Sequence, residues 1–520
     1  MDHAEERSGR TLLGLVSFVG VMLLAGCRDG GALRRTSPPD VEERVEVTLS
    51  IGPDDSRLRY VGRWDRTDPA LPRVGWQGAC VEFRFDGSAA SVQLTVASAT
   101  EYFRVIVDGD RAAGTRFAAL SGTASYELAT GLEPGVHTIE LVKETDAGSG
   151  VTFGELTLQG IALLDPPPAA TRRLVFYGDS GLAGDSLSSE RNASGWSSVG
   201  CDLGYAGVAA RAFGADYQNI SLSGATLADM TTLYDRRFRK DTAPSYDFAE
   251  FVADAVIVDL GSNDIYEVGK TKVKQRFVDL LDLLRVVHPD AHLVLFCSRG
   301  WSKREPANYN DEVVASYGDP NVSAATFPWF FEQWHGCEYD HAGAAEYLVA
   351  HLTATLGWEA VPLDVMSGFG RDGDVANGGF EAIAPFGGYG WRYLDDPGVA
   401  RVVDEPTAHE GSAYLRLEAG GTVHQPNPAS GRQVVTATVW MRGAFPGARA
   451  DVTIDFRDQE QGTAPLERTT TSFDLTTEWA SYTASATAPV VPTNPVFHTR
   501  LTLTATSGTV DVDGVTMRTE

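Results

Sequence analysis

The sequence predicts three folded parts in series: a β-sandwich, a three-layer α/β/α domain built on a parallel sheet, and a second β-sandwich. Three observations carry that reading. Between residues 45 and 164, short apolar–polar alternations recur between glycine turns; between 171 and 366, compact apolar runs alternate with helical stretches; from 374 to 520 the alternation returns. A chain of 520 residues is also longer than one core organises.

The first 44 residues stand apart. Leu12 to Leu24 is an apolar run too short to span a bilayer, and Leu24-Ala25-Gly26-Cys27 follows at once. Residues 1–27 read as an export signal. The tetrapeptide resembles a bacterial lipobox, which implies acylation of Cys27 and an exported lipoprotein held at a membrane, on the periplasmic or cell-surface side. Residues 28–44, with Gly30-Gly31 and Pro38-Pro39, read as a tether.

In the first sandwich, Val81 to Phe85, Ser91 to Val96, Tyr102 to Val107 before Asp108-Gly109, and His137 to Val142 alternate with a period of two. Asp165-Pro166-Pro167-Pro168 is a stiff spacer. Beyond it, Arg173 to Tyr177, Asp216 to Ser221, Ala255 to Asp259 and His292 to Phe296 read as strands, with helices over Lys272 to Val287 and Ala342 to Thr355. Strands separated by helices imply parallel pairing. After a glycine-rich linker at Gly368 to Asp374, Tyr414 to Leu417, Val434 to Met441, Val452 to Phe456, Thr499 to Thr504 and Val510 to Met517 read as the strands of the last domain.

Composition narrows the function classes. A formal charge of −27 repels a phosphate backbone, and no Lys/Arg-rich run interrupts it, so nucleic acid is not an expected partner. Five cysteines include no CxxC pair, so a zinc framework is not expected. In an oxidising compartment the four after Cys27 could form up to two disulfides, with Cys297–Cys337 the favoured pair.

Chemistry concentrates at strand ends of the middle domain. Ser180 follows the first strand in Gly178-Asp179-Ser180, where loops at the carboxyl ends of parallel strands gather ligands. A serine there needs a base to become a nucleophile. Gly224, after the second strand, and Asn263, after the third in Gly261-Ser262-Asn263-Asp264, can join the Ser180 N–H in stabilising an oxyanion. Among the histidines of this domain, His288 precedes a proline, His292 begins a strand and His351 lies inside a helix, leaving His335 and His341. His341 is preferred as base, because it precedes a helix expected to start near Ala342 and because Glu338, three residues earlier, can orient an imidazole. Asp340 is the alternative acid.

Gly178-Asp179-Ser180, Gly224, Gly261-Ser262-Asn263-Asp264 and His341, in that order, resemble the four blocks of SGNH/GDSL hydrolases. Gly62-Arg63, Trp76-Gln77-Gly78 and Val105 to Gly109 look like the leading domain of carbohydrate esterase family two, and Tyr217 to Ser221 and Gly336 to Tyr339 look like parts of its catalytic domain. The likeness covers roughly residues 58 to 355. It implies a jelly-roll sandwich ahead of an SGNH domain, and a serine esterase that removes O-acyl groups, acetyl foremost, from carbohydrate through an acyl-enzyme without a cofactor. A general lipase or thioesterase, and a non-catalytic glycan-binding lipoprotein, are the alternatives.

The last block departs from that family's Cys-Asp-aromatic-His-Pro, because Cys337-Glu338-Tyr339 is followed by Asp340-His341-Ala342. The C-terminal part, with Asn377 to Glu381, Gly390-Trp391 and Asp511 to Val515, is similar to carbohydrate-binding modules and implies a galactose-binding-like sandwich. The same likeness suggests Glu381 and Asp513 as ligands of a structural Ca²⁺, and Trp391, Tyr393 and Trp440 as aromatic faces for sugar.

Overall fold

The computed structural model describes residues 45–520, apart from 147, 149, 189–194, 241–244, 299–307, 328–334, 366–374, 382, 385–386, 389–390, 392–396, 405, 458–463 and 491–495. Cys27, the signal and the tether lie outside the described residues. Glu46–Glu520 forms one unit. No helix of the described residues is long and apolar enough to cross a membrane.

The N-terminal strands pair into one antiparallel ten-stranded sheet around a main apolar cluster that includes Phe83, Phe85, Phe153 and Leu158, with a smaller one at Val61, Cys80, Ile106 and Val142. Its spine is Cys80–Val96 against Val151–Leu164. Inward residues alternate with solvent-facing ones along both strands, as a half-buried sheet requires. The register shifts beside Gly87 and Gly160, where a Cβ would stand 2.2 Å and 2.3 Å from the facing carbonyls of Gln159 and Asp86, so only glycine permits that approach.

The middle domain is a five-stranded sheet of β1 (Arg172–Gly178), β2 (Ala215–Ser221), β3 (Ala255–Asp259), β4 (His292–Ser298) and β5 (Val322–Phe327). The order is β2-β1-β3-β4-β5, with all neighbours parallel. Short α1 (Ser180–Ala183) follows β1, α2 (Tyr205–Ala212) precedes β2, and α3 (Leu227–Leu233) follows it. After β3 come α4 (Asp264–Glu267) and α5 (Lys270–Val287), then α6 (Asn310–Tyr317) and α7 (Glu338–Leu356).

Each face of the sheet has its own cluster of buried apolar side chains, which is why β1 and β3 read as continuous apolar runs. On α5, Val273, Phe277, Leu280, Leu281 and Leu284 recur at helical spacing and pack into one of them. β1 pairs with β2 on one side and β3 on the other, so the connection reverses direction between β1 and β3. A crevice opens at the carboxyl ends of strands at such a reversal.

The N-terminal sheet docks along β2, the edge strand. Arg63, 1% exposed, donates to the Gln218 side chain and to the carbonyls of Tyr234 and Arg236, and its guanidinium lies 4.1 Å from the Tyr246 ring centroid. Gln77 donates to the Ser221 carbonyl at the end of β2 (2.9 Å). Gly78 lies against Tyr217, which a Cβ would meet at 3.0 Å. Two of the family-like motifs of the leading domain are thus the residues that clamp it to the α/β domain.

The C-terminal strands form a five-stranded and a four-stranded antiparallel sheet enclosing one apolar cluster, with Val439, Met441, Ile454, Phe456, Leu501 and Val512 among its members. This part is joined to the α/β domain through buried contacts. Tyr339 in α7 donates to Asn427 (2.8 Å), and Ala376, held by two hydrogen bonds to Gln425, packs into the apolar cluster of the α/β domain.

Cys80, Cys201, Cys297 and Cys337 are all buried and none is in a disulfide, so the expected Cys297–Cys337 bond is absent. Cys201 instead accepts from the Asn219 amide (3.3 Å), and Cys337 caps a helix.

Candidate active site

Ser180 is the first residue of α1, directly after β1. The turn is built by Asp179, whose Oδ1 accepts the Gly181 N–H (3.1 Å) while its Oδ2 accepts from the Ser262 hydroxyl and the Asn263 amide (3.2 Å). Asn263 also donates to the Ala225 carbonyl (3.0 Å), so one side chain ties the end of β3 to the end of β1 and to the loop after β2. In that loop Gly224 adopts φ +79°, a left-handed conformation that glycine takes without strain. The turns bearing Ser180, Gly224 and Asn263 therefore meet at one edge of the sheet.

The histidine that reaches Ser180 is His335, with Nε2 3.0 Å from Oγ. This corrects the assignment of His341 as base. The reason is where α7 begins. Cys337 caps the helix, Asp340 accepts the Cys337 N–H (2.8 Å), and helical structure starts at Glu338, four residues earlier than expected. His341 consequently lies inside the first turns, fully buried, with Nε2 2.8 Å from the His335 carbonyl and Nδ1 3.3 Å from the Tyr205 N–H. His335 stands in the loop ahead of the cap, beside Gly336 at φ +72°.

The proposed acids change with it. Asp340 serves as the helix cap, and Glu338 is a buried residue opening α7; both were chosen to serve His341, whose ring nitrogens are held by main chain. The carboxylate whose charge acts on His335 is Asp185, five residues after Ser180. Its N–H bonds the Ser180 carbonyl (3.1 Å) and its Oδ2 accepts from Ser223 in the Gly224 loop (2.5 Å).

Burial dominates the electrostatics. It holds His335 below the ordinary imidazole range, partly opposed by Asp185, and raises Asp185 above the ordinary carboxylate range. Beneath the turn, burial pushes Asp179 up to about 6 and Asp259 up to about 8, the latter also by repulsion from Asp179; Tyr205 donates to Asp259 (2.7 Å).

The remaining expectations fare unevenly. Trp391 is 2% exposed, packs on Phe380 in the C-terminal core and donates to the Asn377 carbonyl, so it offers no face to a sugar. Trp440 is half-buried and covered by His409, stacked at 3.8 Å. Tyr393 lies outside the described residues.

Glu381 accepts from Ser412 and Ala413, and Asp513 from the main chain of His409, Glu410 and Gly514, so both expected calcium ligands hold turns of the C-terminal part. Among the described residues, the trio with metal-compatible spacing is Cys80, Glu82 and Glu140, but Glu82 is paired with Arg59 and Glu140 with Arg111.

Comparison with known proteins agrees with the layout. Residues 60–168 match the carbohydrate esterase 2 N-terminal family, and residues 177–374 match the GDSL-like lipase/acylhydrolase family. The chain is 31% identical over 335 residues to a cellulase/esterase, CelE, of Acetivibrio thermocellus, covering 59% of this chain and 40% of that one. It is 24% identical over 378 residues to an acetylxylan esterase / glucomannan deacetylase of Cellvibrio japonicus, covering 67% of this chain and all of that one. Among solved structures it is similar to a family two carbohydrate esterase from Clostridium thermocellum in complex with cellohexaose, at 27% identity and a TM-score of 0.53, covering 58% of this chain and 99% of that one.

Proposed function

We propose, from the premise that a carbohydrate esterase 2 N-terminal domain and a GDSL-like lipase/acylhydrolase domain stand side by side in this chain, that it is a serine esterase removing O-acetyl groups from polysaccharide. The observation that carries the reading is the 3.0 Å contact between Ser180 Oγ and His335 Nε2. It puts a nucleophile and a general base within hydrogen-bond reach.

Ser180 attacks the ester carbonyl while His335 Nε2 takes its proton. The Ser180 and Gly224 N–H groups hold the oxyanion, and the Asn263 amide joins them by giving up its 3.2 Å bond to Asp179. Asp185 favours the imidazolium while it lasts. His335 then protonates the departing sugar hydroxyl, and water repeats the cycle on the acetyl-enzyme.

The acetyl-carbohydrate part rests on relatives: one is named an acetylxylan esterase / glucomannan deacetylase, and a similar structure holds cellohexaose. The jelly-roll identity of the leading domain, glycan binding by a galactose-binding-like C-terminal domain, and export with lipid anchoring at Cys27 are parts of the same proposal. Acetate release from acetylated xylan and glucomannan, beside hydrolysis of p-nitrophenyl esters of increasing chain length, tests the reading. Release from the glycans and preference for acetyl are expected. Preference for chains beyond butyryl with no release from glycans would overturn it.

A further inference from the structure

We infer that His341 is a positioning residue: its imidazole ties the start of α2 to the main chain of His335 and so sets where the His335 ring stands against Ser180. The inference rests on Ser180 and His335 being the reacting pair.

The tie is made through both ring nitrogens. The Tyr205 N–H is in the first turn of α2, where backbone donors have no intrahelical partner. It points at Nδ1 of His341 (3.3 Å), so Nδ1 is an acceptor. The ring proton then resides on Nε2, which donates to the His335 carbonyl (2.8 Å). One tautomer satisfies both bonds.

The anchor is itself fixed. The His341 ring stacks on the Tyr205 ring (centroids 5.6 Å apart, 22° between planes), and the Tyr205 hydroxyl is held by Asp259 at the end of β3. A Cβ on Gly204 would come within 3.9 Å of Nδ1, so the ring fits closely over the helix start. His335 belongs to a turn rather than to a helix or strand, with α7 beginning three residues later. The imidazole of His341 is thus a brace between the sheet-anchored α2 and a loop residue that must hold its own ring on Ser180. A misplacement of about 1 Å between reacting groups costs on the order of 100-fold in rate.

Two substitutions separate the two bonds. His341→Gln carries an amide nitrogen to the place of Nε2 and keeps a donor for the His335 carbonyl. His341→Asn reaches only to the place of Nδ1 and loses it. His341→Gln, which gives up the Tyr205 N–H but keeps the bond to His335, is expected to lose less than about tenfold in kcat, whereas kcat of His341→Asn falls roughly 10- to 100-fold with KM unchanged. The acidic limb of kcat/KM moves only in His341→Asn.

Equal kcat for the two variants, or losses that follow their melting temperatures alone, would overturn the inference. Should neither fold, ¹⁵N NMR of the intact protein decides: a proton on Nε2 with a bare Nδ1 is expected, and the opposite tautomer overturns it. Parental turnover in Ser180→Ala or His335→Ala would instead remove the reacting pair itself. Loss of turnover in both, with matched His341 variants, removes only the brace.

Discussion

Nε2 of His335 and Oγ of Ser180 stand 3.0 Å apart although 155 residues separate them in the chain. Groups that act as one unit lose their effect together, so Ser180→Ala, His335→Ala and the double variant are each expected to lower kcat by a similar factor, at least about 10³-fold. Multiplicative losses, measured with p-nitrophenyl acetate, would mean that the two side chains act separately.

Asn263 bridges three loops through Asp179 and Ala225. Asn263→Ala is expected to reduce kcat about 10²- to 10³-fold, the scale of one lost oxyanion donor. A loss below about fivefold in a protein of unchanged melting temperature would leave the amide a purely structural tie.

Catalysis needs His335 neutral, and burial holds its proton affinity below the ordinary range while Asp185 opposes that effect. The acidic limb of kcat/KM is therefore expected below the ordinary imidazole midpoint of about 6.5. Asp185→Asn removes the opposing charge and should move the limb further down. An upward shift would contradict the placement of Asp185 beside the ring.

His288 is buried against Tyr177 and pushed down to about 4 by desolvation, with the Arg63 and Arg285 charges adding. Its folded-state pKa lies below the unfolded value, so the unfolded chain binds the extra proton between about 4 and 6.5, and stability falls as pH drops through that window. His288→Gln should flatten the dependence of melting temperature on pH across that range. An unchanged slope would assign the acid sensitivity elsewhere.

Tyr339 and Asn427 share a buried hydrogen bond between α7 and the C-terminal sheets. Tyr339→Phe leaves a buried acceptor unpaired and should cost about 1–3 kcal/mol. Combined with Asn427→Ala, the losses should be less than additive, as a double-mutant cycle in urea would show. Simple additivity would place no energy in that bond.

Much of the α/β sheet is legible in the sequence because its strands are buried on both faces. Leu174 to Tyr177 and Ala255 to Val258 are short apolar runs rich in Val, Ile and aromatic residues, as a central strand requires, and Gly178-Asp179-Ser180 sits where such a strand ends. The strand Val322–Phe327 escaped notice because alanine, serine and threonine give it no strong apolar signature. A helix boundary separates the expected base, His341, from the observed one, His335. Asp340, three residues after Cys337, is a capping acid, and a cap at Cys337 leaves His335 in the loop and draws His341 into the helix. That signal was present, but a cysteine is not among the usual caps. Burial of Trp391 depended on contacts across two sheets, which local pattern does not carry.

The hydrogen bond from Tyr339 to Asn427 has a practical consequence for anyone who would trim this enzyme. A fragment ending after α7 would expose the flank of the very helix whose first turns hold the histidine loop in place. Such a fragment is expected to be a damaged catalyst rather than a minimal one, and the last 150 or so residues belong to the chassis of the active centre rather than to a detachable trailer.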